Sequence, residues 1–186
     1  MLSRITDFDI RPLSIIEKPK ELHTFIDKCH KAGMKNNESI QAMKFGRWGT
    51  EAWWCTWYKG EIISICGCHD FSTFRPNSWR LMVRTATLPE YRGKAPGDFR
   101  KMKNDFNWGF ILPYQVEHAK SQGAQELLFT TNVDVSDGAG TQSSARMNRF
   151  VERILAPAGL CELVESNVEI YYTKQNLWRV TNLHLH

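Results

Sequence analysis

Between Leu88 and Gly97 the chain reads Leu-Pro-Glu-Tyr-Arg-Gly-Lys-Ala-Pro-Gly, a stretch with the makings of an anion site. A glycine-containing bend between a strand and a helix points successive backbone N–H groups into a concavity. The helix that follows adds its unpaired N–H groups and the positive end of its dipole. Arg92 and Lys94 add charge. The chemistry implied is a pyrophosphate cradle; taken alone, the same residues also read as a polar turn with two surface cations. A second stretch, Cys66-Gly67-Cys68-His69-Asp70, offers an imidazole that titrates near neutrality and could relay a proton. A histidine at a strand end also commonly serves structure alone. Its cysteines lack the C-x2-4-C spacing and the distant second pair of a zinc site, so no metal is expected. Asp134 and Asp137 either attract a cationic amine or solvate a loop.

These residues need elements to hold them. Ile5 to Leu13 reads as a strand, with Pro12 marking its end. Pro19 opens a helix whose Leu22, Phe25, Ile26 and Cys29 share one face. A short helix is expected around Ser39 to Phe45. Glu51 to Tyr58 and Glu61 to His69, joined by Lys59-Gly60, form a β-hairpin signal. Trp53, Trp54, Trp57 and Tyr58 lie on that hairpin and must divide between two faces, mostly as core. Trp79 to Leu88 is a further strand. The segment 98–123 is helical in two pieces, with Pro113 near the start of the second and Gly123 at its end. Leu127 to Thr131 is a strand. Ser143 or Ser144 caps a helix carrying Met147, Phe150, Val151, Ile154 and Leu155. Val168 to Tyr172 and Gln175 to Val180 close the chain as two strands. The order β-α-α-β-β-β-α-β-α-β-β is buried most simply by an α/β (α+β) fold: a central mixed sheet with helices on both faces.

Composition limits the function classes. The chain has 186 residues, 42% of them hydrophobic, which suits one domain over 1–186. With 24 Lys+Arg against 20 Asp+Glu, the formal charge of +4 favours a small anionic ligand. It falls short of a dedicated nucleic-acid binder, so no nucleic-acid partner is expected. No apolar run approaches the roughly 20 residues of a membrane span, and Met1 to Leu13 has no signal-peptide character, so a soluble cytoplasmic protein is expected. Cys29, Cys55, Cys66, Cys68 and Cys161 are odd in number and scattered, which indicates reduced, mostly buried thiols.

The whole chain resembles the GNAT (Gcn5-related) N-acetyltransferases. The family signature R/Q-x-x-G-x-G/A, which follows the fourth strand, is matched by Arg92, Ala95 and Gly97. The family's helix ending A-K-x-x-G is matched by Ala119-Lys120-Ser121-Gln122-Gly123. The tail from Val168 to Val180 is similar to its last hairpin.

The resemblance implies a mostly antiparallel sheet of about six or seven strands. The fourth strand splays from the fifth, here with the parting expected at Leu88 and Thr131. It implies acetyl-CoA as cosubstrate and an amine-bearing acceptor, and it leaves monomer and homodimer open. By carry-over, backbone groups of Thr85, Ala86, Thr87 and Leu88 hold the pantetheine arm. The turn Arg92, Gly93, Lys94, Ala95, Pro96 and Gly97 holds the pyrophosphate through the backbone N–H groups of its residues other than proline, and Asn132 faces the pantetheine or acetyl end. Thr87 N–H serves the oxyanion, His69 relays the amine proton, and Tyr171 or Tyr172 protonates the thiolate.

The chain also departs from the family pattern. Ala95 and Pro96 alter the cradle, since proline has no N–H. The interval 98–112 is an insertion holding Arg100, Lys101 and Lys103 with Phe99, Phe106, Trp108 and Phe110. It reads as a lid, a phosphate grip, a partner surface or a structural excursion. Phe150 stands where the family often has a tyrosine. These departures keep open a CoA-binding or interaction module without catalysis.

Overall fold

A computed structural model describes residues 4–13, 19–34, 52–96, 105–133, 141–170 and 173–181, with side chains of the helix at 141–150 described from Arg146 onward. Its elements are β1 (Asp9–Pro12), α1 (Lys20–Lys31), β2 (Ala52–Tyr58), β3 (Glu61–Asp70), β4 (Ser78–Thr87), α2 (Leu112–Ser121), β5 (Glu126–Asn132), α3 (Thr141–Phe150), β6 (Cys161–Ile170) and β7 (Thr173–Val180). The strands form one seven-stranded sheet in the order β1-β2-β3-β4-β5-β7-β6. Every neighbouring pair is antiparallel except β4 with β5. This is the mixed, mostly antiparallel sheet expected.

Helices cover both faces, and the alternation of side chains along β2 shows how the core divides. Trp53 and Cys55 pack with Leu22, Phe25, Ile26 and Cys29 of α1. Trp54 points the other way, into a cluster with Leu112 and Val116 of α2 and with Phe150, Val151 and Leu155 at the end of α3. Before α2 the helical ladder widens to i→i+5 over Asn107–Ile111, with Leu112 N bonded to Asn107 O. Pro113, at the start of α2, supplies no N–H and its ring crowds the preceding turn, which the wider ladder relieves.

Two expectations change. The first strand shrinks from Ile5–Leu13 to Asp9–Pro12, because Ile5 N bonds Lys94 O at 2.9 Å instead of a strand. The sixth strand starts at Cys161, well before Val168. Its residues are largely exposed, so no two-residue apolar alternation marks it. The helix expected at Ser39 to Phe45 lies outside the described residues. All five cysteines are free and buried. Burial pushes the Cys29, Cys66 and Cys161 thiols up to about 12 and Cys55 to about 11. No described helix is long and apolar enough to cross a membrane.

Candidate functional site

The parallel strands β4 and β5 pair over three positions only, Ser78 with Glu126, Trp79 with Leu127 and Arg80 with Leu128. Beyond that they part. The split therefore begins far deeper than Leu88 and Thr131. Its cause lies in β4, whose register against β3 shifts between Ile65 and Gly67 and again between Gly67 and His69. At each shift β4 carries one residue more than β3, and Met82 and Arg84 take left-handed backbone angles there (φ 57° and 54°). Such bulges bend a strand and increase its twist. Gly67, between the two shifts, lies under Trp53, whose ring would be 2.9 Å from an added Cβ.

Side-chain amides take up the backbone groups that the missing strand pairing leaves. Gln115 on α2, fully buried, accepts from Met82 N at 2.9 Å and donates to Gly67 O at 2.9 Å. Asn107, also fully buried, donates to Ala86 O at 3.4 Å and to Thr87 Oγ1 at 3.2 Å. At the paired end, ions close the sheet. Glu126 accepts from Arg75 Nε at 2.8 Å and from Arg179 Nε at 2.9 Å, and Arg179 also binds Glu162. The two arginines hold the Glu126 carboxyl below the usual range.

The carried-over residues converge on the open end. Thr85 Oγ1 bonds Met82 O at 3.0 Å. Ala86 and Leu88 bury their side chains against the α1 face. Thr87 O accepts from Arg92 Nε at 3.2 Å. Leu88 N bonds Ile63 O on the β3 side. Successive N–H groups of a strand point to opposite edges, so Thr87 N–H faces β5 and the gap.

In the turn after β4, the left-handed residue is Gly93 (φ 71°), not Ala95. The N–H groups of Tyr91, Arg92 and Lys94 bond carbonyls within the turn, those of Leu88, Pro89 and Tyr91. Of residues 92–96, only Gly93 and Ala95 then keep an N–H outside that ladder. Ala95 is buried with Ile5, Ile63 and Phe106. Across the gap, Asn132 O accepts from Asn148 Nδ2 at 2.8 Å. Gly97, Tyr171, Tyr172, Asp134, Asp137, Arg100, Lys101 and Lys103 lie outside the described residues.

His69 stands elsewhere, opposite Arg80 at the paired end. Burial lowers its pKa to about 4, so the ring is neutral at pH 7. Nδ1 donates to Asp70 O at 2.6 Å, which leaves Nε2 as the acceptor nitrogen. Phe150 packs edge-on against Trp108 at 5.7 Å and has no proton to offer. Phe106 and Trp108 of the 98–112 segment are core residues. Among the described residues, no group of three or more His, Cys, Asp or Glu is disposed to hold a metal.

Sequence reasoning missed Gln115, Asn107 and Asn148, and it named Trp108 only as one aromatic of the 98–112 segment. Gln115 had a visible signal: it is a polar residue on the stripe Ile111, Leu112, Val116, Ala119. Trp108 Nε1 and the Oδ1 atoms of Asn107, Asn132 and Asn148 are buried without a hydrogen-bond partner among the described residues. Buried polar atoms rarely go unpaired. Asn107 borders β4, Trp108 packs on Phe129 of β5, and Asn148 touches the end of β5, so these atoms flank the gap on the α2/α3 side.

The fold is that of the GNAT acetyltransferases. A GNAT-family protein of Desulfovibrio desulfuricans is 11% identical, with 94% of this chain and 99% of that one covered and a TM-score of 0.60. An aminoglycoside 6'-N-acetyltransferase complexed with coenzyme A is 10% identical, with 93% and 96% covered and a TM-score of 0.58. The acetyl transferase of Salmonella typhimurium that modifies the N-terminal serine of ribosomal protein L7/L12 is 11% identical, with 96% of each chain covered and a TM-score of 0.56. No protein-family model matches the chain. Among curated proteins, the UvrABC system protein B of Borreliella burgdorferi is 32% identical over 92 residues, 48% of this chain. The match spans only 14% of that relative's length.

Proposed function

We propose that the chain is an acetyl-CoA-dependent N-acetyltransferase that acetylates a primary amine. The observation that carries this reading is the gap between β4 and β5, bordered by buried polar atoms with no hydrogen-bond partner among the described residues. A pantetheine arm presents secondary amides, whose N–H groups suit the Asn oxygens and whose carbonyls suit Trp108 Nε1. Solved structures of the same fold include an aminoglycoside 6'-N-acetyltransferase complexed with coenzyme A and an acetyl transferase that modifies an N-terminal serine.

In this reading the backbone of Thr85 to Leu88 and Asn132 hold the pantetheine. Residues 92–97, with the Arg92 and Lys94 side chains, hold the diphosphate. Acetyl-CoA supplies the thioester that the amine attacks. Thr87 N–H, facing the gap, stabilises the carbonyl oxygen. Tyr171 or Tyr172 serves as acid, and His69, which stands at the paired end, takes no part in the transfer.

Calorimetry with acetyl-CoA, followed by release of free CoA thiol with a panel of amines, tests the proposal. Binding with amine-dependent thiol release is expected. No binding of acetyl-CoA would defeat it. Binding without turnover for any amine would favour the second reading, a CoA-holding module without catalysis. Two observations lend that reading weight: Phe150 where a tyrosine is common, and a turn whose amides are partly engaged.

A further inference from the structure

The side chain of Gln115 is interposed between two strands. It comes from α2, is fully buried, and accepts from Met82 N of β4 while donating to Gly67 O of β3, both at 2.9 Å. One carboxamide thus fills a rung where neighbouring strands of a ladder bond directly. The rung falls at the β4 bulge nearer the paired end, between Gly67 and His69 of β3, where Met82 takes its left-handed angle (φ 57°). The carbonyl of Met82 is held by a side chain as well, accepting from Thr85 Oγ1 at 3.0 Å. Both backbone groups of the extra residue are therefore fixed by side chains. The bulge decides more than a local bend. N–H groups along a strand point to alternate edges, so one residue more or fewer exchanges the edges for everything beyond. With the bulge in place, Leu88 N bonds Ile63 O of β3 and Thr87 N–H faces the gap. With the bulge closed, Thr87 N–H turns towards β3 instead.

We propose that Gln115 is a positioning residue for acetyl transfer: its carboxamide fixes the register of the distal half of β4 and so aims Thr87 N–H at the thioester carbonyl. The inference rests on the acetyl-CoA reading above. In it Gln115 touches neither substrate nor cofactor and acts through Thr87. A carboxamide suits the place because it donates and accepts at once without a charge. A hydrocarbon side chain does neither. A carboxylate only accepts, whereas a protonated carboxyl again does both.

The test uses the full chain, acetyl-CoA and the amine of the panel that turns over fastest, with kcat and KM measured separately. Gln115→Leu removes both bonds, and its kcat should fall about hundredfold while KM for acetyl-CoA stays within about threefold. Gln115→Glu adds a rescue that packing alone does not supply. Burial raises the pKa of the introduced carboxyl, and its protonated form restores the donor to Gly67 O. The ratio of this variant's kcat to that of the wild type should rise about tenfold as the pH falls from about 8 to about 6. The titratable groups near Gln115 are Cys66, whose thiol burial pushes up to about 12, and Asp105, whose charge raises that thiol further. Both are common to the two proteins, so the ratio isolates position 115. Glu126→Gln, at the paired end, should keep the wild-type kcat. A wild-type kcat in folded Gln115→Leu, or a loss carried by KM alone, overturns the proposal and leaves the acetyl-CoA reading standing. A flat ratio in Gln115→Glu, or an equal loss of kcat in Glu126→Gln, does the same. Failure of both Gln115 variants to fold at every pH also overturns it, since the amide would then hold the whole fold rather than aim one N–H. If the wild type transfers acetyl to no amine, the proposed function fails and this inference with it.

Discussion

The two ends of the β4/β5 pair are held by opposite means. At the paired end, three residues of each strand share a ladder, and Arg75, Glu126, Arg179 and Glu162 brace it with ion pairs at the sheet margin. At the parted end, two bulges carry β4 away, and the buried amides of Gln115 and Asn107 bond its backbone at Met82 N and Ala86 O. Charge suits the first place because Glu126 and its arginines keep part of their surface in water. Neutral amides suit the second because a buried charge there would carry a large desolvation penalty. The exception is Asp105, a half-buried carboxylate at the parted end held by two backbone N–H groups and a nearby arginine.

Four experiments would break or sharpen this contrast. The largest effect is expected from Gln115→Leu, which leaves Met82 N and Gly67 O buried without their partner. A loss of about 3 kcal/mol in urea unfolding is expected. A loss below about 1 kcal/mol would mean that the parted end does not depend on that amide.

Next comes acid. His69 has a folded pKa near 4 against an ordinary 6.5. The unfolded chain therefore binds the proton more readily, and stability falls as pH drops from about 6.5 towards 4. That span corresponds to about 3 kcal/mol. Denaturant midpoints at pH 7 and pH 4 should diverge less in His69→Gln than in the wild type; identical divergence would remove His69 as the cause.

Glu126→Gln loosens the paired end. These groups are partly exposed, so about 1 kcal/mol is expected at low salt, shrinking in high salt. A salt-independent loss would point to packing instead. The smallest effect is on binding: Trp108→Phe removes one unpartnered N–H, so S-acetylpantetheine affinity should fall about fivefold. Unaltered affinity would mean that this donor does not meet the ligand.

Much of the scaffold was legible in the sequence. The hairpin at Lys59-Gly60, the α1 stripe and the break at Pro113 follow from local chemistry and reappear in place. The bulges were not legible. Met82 and Arg84 are ordinary strand residues by type, and their left-handed angles are imposed by tertiary context. The sixth strand was under-read because Glu162, Glu165 and Glu169 on an exposed strand lack the apolar alternation that marks a half-buried one. At the site, the turn after the fourth strand was legible from its proline and glycine, and its role as an anion cradle is a proposal. Asn107 and Gln115 were missed, because a buried amide is recognised by the backbone it serves, and that backbone belongs to distant parts of the chain.

The five sheltered cysteines have a practical side. A disulfide-type colour reagent needs a thiolate it can reach. Four of these sulfurs hold their protons to about pH 11 or 12, and all five are out of solvent. The folded protein should therefore stay colourless with such a reagent, so any yellow that develops in an assay mixture comes from a small-molecule thiol set free during turnover.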